Sequence, residues 1–264
     1  GLGKLEQAMI TAGQLEQLEL PGLDPDRRAV FPGGVAILSA VFDRLKIDEM
    51  WVSPTALREG LIYDMVGRIR DEDPRDRTIA MLAMRYSIDQ AHADRVQETA
   101  LGLLGQVADA WELKSPDVAH ALIWAAQLHE IGLAVNYTGH HKHGSYLIAS
   151  SDLPGFSRDE QFLVATLVRG HRRKLDDAYF DGLPSELQLD AKRLTVLLRL
   201  SVLLNRNRDP ENVPIPELEA KDDNIRLTFD EEWLEAHPLV HADLEREQKL
   251  LKPIGFRLDG FELE

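Results

Sequence analysis

The sequence predicts a mainly α-helical protein that closes with a small α+β unit. From residue 78 to residue 206, apolar side chains recur at the spacing of one helix face, in one helix after another. After residue 209 the spacing of the apolar residues changes. The run 225–229 alternates apolar and polar residues, which is typical of a strand. A charged stretch with a proline at 68–77 marks a boundary before the helical region. We therefore predict three domains, at 1–68, 69–208 and 209–264.

Local signals place the individual elements. Asp24 followed by Pro25 is typical of an N-cap and a first helical residue. Ser157 with Glu160 three residues later fits a capping box. The predicted helices are 2–19, 25–45, 56–66, 75–86, 89–112, 116–134, 139–151, 157–171 and 187–207, with one or two more in 233–251, and the predicted strands are 50–53, 225–229 and 256–261.

Composition limits the classes of function. The 264 residues contain no cysteine, which excludes disulfides, thiolate metal sites and a cysteine nucleophile. A formal net charge of −15 disfavours a general nucleic-acid binder, so any anion site must be a local basic patch. From the sequence we expect neither a membrane-spanning helix nor a signal peptide, and cytoplasm is the expected compartment. Because the chain starts at Gly1 within a helical pattern, we expect an internal fragment or a processed chain.

Histidines concentrate in one part of the chain. Seven of the nine lie between residues 92 and 171, and His129 is followed directly by Glu130. Histidine and carboxylate together can bind a metal or act as a general acid–base pair. The pair at 129–130 is therefore a candidate catalytic site.

The order His92, His129-Glu130, His171 resembles the HD superfamily of phosphohydrolases, whose His and His-Asp residues and a later Asp hold divalent metals. Here Glu130 stands in place of that Asp, and Asn205 stands where the last Asp is expected. We therefore expect no metal site in this chain. Two interpretations remain open for His129 and Glu130: hydrogen-bonded structural residues between helices, or an acid–base or anion-contacting pair without metal.

Basic residues flank two predicted helices. Lys142 lies with three histidines at a helix start, where free N–H groups favour anions. A second basic group ends another helix, where cations complement the dipole. If the two ends meet, they form a surface for polyanions; otherwise they are solvated helix ends. The candidate polyanion-binding residues are His140, His141, His143, Arg169, His171, Arg172, Arg173 and Lys174.

The N-terminal region carries two further motifs. Pro32, Gly33 and Gly34 lie inside a predicted helix, where they cost stability and so suggest close packing or a nearby ligand. The second motif is Arg58, Glu59 and Gly60, which follow a short predicted strand. Its charged residues could equally lie on the exposed face of the first turn of a helix.

Taken together, these motifs resemble the exopolyphosphatase and guanosine pentaphosphate phosphohydrolase family. The segments 30–38 and 56–64 are similar to the end of its second actin-like domain, and 129–132 and 139–157 to its HD-like helical domain. The similarity continues through 160–172 and 197–205 and is weakest after residue 209.

The resemblance implies that phosphate cleavage and most residues of this chain belong to different domains of the family's proteins. In the family a cleft between two actin-like domains hydrolyses terminal phosphate with the help of Mg²⁺, and that machinery has no match here. Gly33, Gly34 and the motif 58–60 would be a remnant of the cleft. The fold implied is an HD-like helical domain, with a partial actin-like segment before it and a small α+β domain after it.

The resemblance also implies partners and a role. This chain would bind polyphosphate and form a homodimer while lacking catalytic residues of its own, as the C-terminal part of an exopolyphosphatase. The alternatives are a guanosine pentaphosphate phosphohydrolase, or a stand-alone HD-type metal-dependent nucleotide phosphohydrolase.

Overall fold

The computed structural model describes residues 1–50, 73–113, 115–208 and 214–261. The chain divides into two compact units, Gly1–Tyr63 and Asp64–Glu264. The predicted fold class is confirmed, because the described residues form mainly helices with one small sheet. No helix in these ranges is long and apolar enough to cross a membrane.

The described part of the N-terminal unit, residues 1–50, contains two α-helices, α1 at Leu2–Ala12 and α2 at Phe31–Leu45. The first is shorter than the predicted 2–19, because Gly13 ends it with a positive φ of 68°, which glycine adopts readily. A separate 3-10 turn, Leu15–Gln17, follows. The predicted strand at 50–53 and helix at 56–66 lie largely outside the described residues.

The predicted helix at 25–45 is two elements. Asp24 caps a 3-10 turn at Pro25–Arg27, and α2 begins only at Phe31. Pro32 therefore lies in the first turn, where its missing N–H leaves no intrahelical bond unmade. The expectation that Pro32 lies inside a helix and lowers its stability was therefore wrong.

The larger unit is a helical bundle followed by a mixed α+β segment. Four of the six bundle helices begin with a side-chain N-cap, and Ser157 and Glu160 form the predicted capping box. Apolar side chains from all six of these described helices fill one core. The helices are α3 at Pro74–Arg85, α4 at Gln90–Val107, α5 at Pro116–Leu128, α6 at His140–Ser150, α7 at Arg158–Gly170 and α8 at Ser185–Leu204.

The C-terminal segment continues the same core. Strands β1 (Glu217–Lys221), β2 (Asn224–Thr228) and β3 (Arg257–Asp259) form a sheet in that order, antiparallel and then parallel. Helices α9 (Glu231–Ala236) and α10 (Pro238–Leu251) connect β2 to β3. Strand β1 was not predicted, because its single buried leucine gives little alternation. Gln106 of α4 attaches β1 to the bundle by accepting from Leu218 N at 2.8 Å and donating to Pro216 O at 3.0 Å.

The predicted helix 116–134 ends early. Helix α5 stops at Leu128, and a 3-10 turn at Ile131–Ala134 packs on the start of α6. Gly132 makes this packing possible: a Cβ there would overlap the His140 carbonyl oxygen and lie 2.5 Å from Gly144 N. The absence of a side chain at residue 132 therefore sets the position of the histidine-bearing end of α6.

We expect Gly132→Ala to lower the free energy of unfolding by roughly 1–3 kcal/mol, because the backbone it meets cannot move aside cheaply. The matched control is Gly105→Ala on α4, where an added Cβ meets nothing within 4 Å. That change should stabilise the helix by about 0.5–1 kcal/mol. Urea unfolding of both variants checks the pair, and equal midpoints would contradict the packing argument.

Candidate functional site

Five buried histidines from four parts of the bundle form one group, here called the histidine cluster. His129 lies 5.4 Å from His92 and 5.5 Å from His171 between ring centroids. His171 stacks on His140 at 5.5 Å and lies 6.3 Å from His141. The fold thus brings together the histidines that the sequence analysis had singled out.

Backbone carbonyls orient two of these rings in the same way. His129 Nδ1 lies 2.7 Å from Ala126 O, and His171 Nδ1 lies 2.7 Å from Val168 O. Since a carbonyl only accepts, both rings carry the proton on Nδ1 and present Nε2 as a lone-pair acceptor. For His129 that Nε2 is buried without a hydrogen-bond partner among the described residues.

Burial keeps the cluster neutral. Desolvation lowers the pKa of His129 to about 4 and that of His171 well below its ordinary value. The pKa of His141 is also lowered to about 4, by burial first and by the nearby Arg169 second. The pKa values of His140 and His92 are also lowered, and burial is again the largest cause. At neutral pH these rings therefore contribute hydrogen-bonding groups rather than positive charge.

Glu130 is held by a residue that the sequence analysis missed. Arg208 Nη2 donates to both Glu130 carboxylate oxygens, at 2.6 and 2.8 Å, and its Nη1 donates to Asp89 Oδ2 at 2.9 Å. Asp89 also caps α4 by accepting from His92 N at 3.1 Å, which lowers its pKa, with Arg208 contributing further. Arg208 lies 78 positions after Glu130 and outside any motif, so no local signal identifies it.

Asn205, which stands where the HD pattern has an acidic residue, has a structural role. Its amide donates to Thr99 Oγ1 and to Ser201 O, both at 2.9 Å. These bonds join α4 to the end of α8 within the buried interior.

The two predicted basic helix ends do meet. The basic turn, defined as residues 171–174, follows α7, and Arg172 Nη1 lies 3.1 and 3.2 Å from the two ring nitrogens of His140 at the start of α6. Arg173 and Lys174 are exposed, as is Lys142, whereas His143 and Arg172 are half-buried. Within the described residues none of Lys142, Arg172, Arg173 and Lys174 makes a salt bridge.

This geometry divides the candidate polyanion contacts into two classes. His140, His141 and His171 are at most 5% exposed, so they support the surface from beneath rather than form it. Arg169 lies over the Tyr179 ring at 4.8 Å. The accessible candidates are Arg173, Lys174 and Lys142, which are exposed, and Arg172 and His143, which are half-buried.

A buried ion pair fixes the basic turn. Arg199 of α8 donates from Nη1 to Gly170 O at 2.6 Å and from Nη2 to Arg173 O at 3.0 Å. The same guanidinium pairs through Nε and Nη2 with Glu247 of α10. Arg173 has a φ of 66°, so its backbone follows a left-handed path that these bonds hold in place.

The N-terminal candidates are less informative. Gly33 and Gly34 are exposed on α2, and a Cβ at either would meet nothing within 4 Å, so the described residues show no close packing that requires glycine there. The other three predicted residues of the cleft remnant, Arg58, Glu59 and Gly60, lie outside the described residues.

Comparison with known proteins identifies the family. The family model described as Ppx/GppA phosphatase, domain III, matches residues 75–248, which hold the entire histidine cluster and the basic turn. This chain belongs to the Ppx/GppA phosphatase family. A second model, described as Ppx/GppA phosphatase family, matches residues 1–69, and the resemblance stated from the sequence is confirmed.

Several curated relatives carry the name guanosine-5'-triphosphate,3'-diphosphate pyrophosphatase. The protein from Pseudoalteromonas translucida is 37% identical over 254 residues, which cover 96% of this chain and 51% of the relative. That from Vibrio cholerae is 40% identical over 261 residues, covering 97% and 51%, and that from Vibrio vulnificus is 40% identical over 260 residues with the same coverage. The chain therefore spans about half the length of these relatives.

The Arg199–Glu247 pair predicts a large and specific stability effect. Glu247→Ala leaves a buried guanidinium unpaired, which we expect to lower the free energy of unfolding by roughly 3–5 kcal/mol. The control is Glu245→Ala, which is exposed on the same helix and should change it by no more than about 0.5 kcal/mol. Chemical denaturation measures both, and similar losses for the two variants would argue against the ion pair's role.

The neutral His141 predicts a dependence of stability on pH. Its pKa is about 4 in the folded chain against 6.5 as the ordinary value. Between those values the unfolded chain binds the extra proton, so the contribution to stability is complete above pH 6.5 and is lost as pH falls toward 4. The charged or titratable neighbours that act on it are Arg169, Arg172, His140, Lys142 and His171.

His141→Asn removes this titration. Thermal melts at several pH values should show a smaller loss of melting temperature on acidification for the variant than for the unchanged chain. Because all other carboxylates and histidines remain in both proteins, the difference isolates residue 141. Parallel curves would show that burial of His141 does not control its protonation.

Proposed function

We propose that this chain is the substrate-holding part of a phosphoanhydride hydrolase acting on guanosine pentaphosphate. The observation that carries the proposal is the basic turn, whose cations make no salt bridge with any described residue, within the region that matches the family's domain III. The sequence analysis placed inorganic polyphosphate first and guanosine pentaphosphate second. The names of the relatives support the second substrate over the first.

The charge distribution supports a phosphate-holding role. Arg172, Arg173 and Lys174 lie close together on a chain whose formal net charge is −15, so they form a local attractive site on a repulsive body. Guanidinium groups bind phosphate oxygens through paired N–H donors, which suits a ligand rich in phosphate. Neutral histidines beneath the turn add no repulsion among the cations.

Phosphate cleavage is proposed to lie elsewhere. The resemblance assigns it to an actin-like cleft and to Mg²⁺, neither of which the residues of the basic turn would supply. A homodimer and a cytoplasmic location remain part of the proposal as well. Under this proposal the chain alone binds guanosine pentaphosphate without releasing phosphate.

Calorimetric titration with guanosine pentaphosphate at low salt tests the proposal. The double change Arg172→Ala with Arg173→Ala should weaken binding by about tenfold to a hundredfold, since each removes a charge-assisted contact. Added salt should weaken binding by the unchanged chain, because the attraction is between charges. A parallel titration with long-chain polyphosphate compares the two substrates.

The matched control removes the same net charge away from the turn. Arg158→Ala with Lys252→Ala alters two exposed basic residues on other elements. If this control weakens binding as much as the turn variant does, the attraction comes from net charge and the site assignment fails. Phosphate release by the purified chain that disappears in His129→Ala would instead favour a stand-alone HD-type phosphohydrolase.

A further inference from the structure

Three potential ligand groups converge at one edge of the histidine cluster. One nitrogen each from His92 and His129 and a carboxylate oxygen of Glu130 all lie within 4.8 Å of one another. His92 is 3% exposed and His129 is 1% exposed, so both rings are fixed within the packed bundle. Three separate local structures position them: the first turn of α4 for His92, the end of α5 for His129, and the residue after it for Glu130.

The two imidazoles present nitrogens whose hydrogen-bonding capacity is unused. His92 Nδ1 and His129 Nε2 are buried and have no hydrogen-bond partner among the described residues. Because His129 Nδ1 donates to Ala126 O, the lone pair of this ring is on Nε2. A buried acceptor without a partner costs about 1–3 kcal/mol. A ligand that accepts electron pairs from both nitrogens would remove that cost.

Although the sequence led us to expect no metal site, we propose that His92, His129 and Glu130 form a binding site for a divalent transition-metal cation of the zinc type. Two imidazole nitrogens and one carboxylate are a donor set that Zn²⁺ and Co²⁺ accept, with a fourth position left for water. Zinc–ligand bonds are about 2.0–2.2 Å, so bound ligand atoms lie roughly 3.2–3.6 Å apart. Small side-chain rotations would bring the three groups from their present spacing to that geometry.

Arg208 is the competitor for this site. Its guanidinium holds both Glu130 oxygens, at 2.6 and 2.8 Å, and so occupies the carboxylate that a metal requires. The same side chain also contacts Asp89 at 2.9 Å, which gives it a second anchor when Glu130 turns toward a metal. The Arg208 side chain is 44% exposed, so it can leave the carboxylate without breaking core packing. In this proposal, metal binding replaces the Arg208 guanidinium at the Glu130 carboxylate with the metal ion.

The competition makes the proposal testable without knowledge of the activity. The chain is stripped with a chelator and titrated with Co²⁺, followed by its visible absorption, and with Zn²⁺ in a competition assay. We expect saturable binding of one ion per chain, with a spectrum that indicates nitrogen and oxygen ligands. Arg208→Ala should tighten Co²⁺ binding by about three- to tenfold, because it removes a partly exposed ion pair that opposes the metal.

Ligand variants complete the test. His129→Ala and Glu130→Gln should each abolish the Co²⁺ spectrum, and Glu130→Gln preserves side-chain shape in case His129→Ala fails to fold. His241→Ala is the matched histidine control, since that ring packs near Phe261 away from the cluster, and its spectrum should equal that of the unchanged chain. No saturable binding by either the unchanged chain or Arg208→Ala, or retention of the spectrum in Glu130→Gln, would overturn the proposal.

Discussion

The buried ion pair between Arg199 and Glu247 connects the parts of the larger unit on which the site depends. Arg199 uses its guanidinium on three partners at once: the Glu247 carboxylate, the Gly170 carbonyl and the Arg173 carbonyl. The first joins the C-terminal segment to α8, and the other two secure the turn that leaves α7. An arginine is suited to this because its donors lie in one rigid plane. The surface position of Arg172 and Arg173 thus follows from a contact made in the interior.

Two kinds of basic residue meet at that turn, and burial separates their roles. The histidines lie beneath the surface and lose their charge to desolvation, which leaves them as oriented donors and acceptors. Arginine and lysine keep their charge and remain accessible. If the histidines were protonated, their mutual repulsion would oppose the packing of α6 against α7. The buried neutral histidines thus allow α6 and α7 to pack, while the charged arginine and lysine side chains stay at the surface.

Some features of this arrangement could be predicted from the sequence and others could not. Caps at Ser157 and the grouping of histidines follow from local spacing, so helix order and the cluster could be predicted. Strand β1 could not, because a five-residue strand with one buried leucine carries almost no period. Burial of His140 and His141 was missed for a different reason: their exposure depends on α6 packing against the turn at Gly132, which is a tertiary contact. Arg208 has no signal in the sequence, since its partners lie in distant parts of the chain.

Arg208 also explains why the Glu130 carboxylate can lie beside the two neutral rings of His92 and His129. Glu130 has a side chain only 13% exposed, and an uncompensated charge at that depth would be costly. The guanidinium neutralises it from the solvent side, while Asp89 balances the guanidinium in turn. Because one edge of this network reaches solvent, its cation can be exchanged, whereas Arg199 is fully enclosed and cannot be. The two arginines thus mark the difference between a permanent structural pair and a carboxylate that stays available to a ligand.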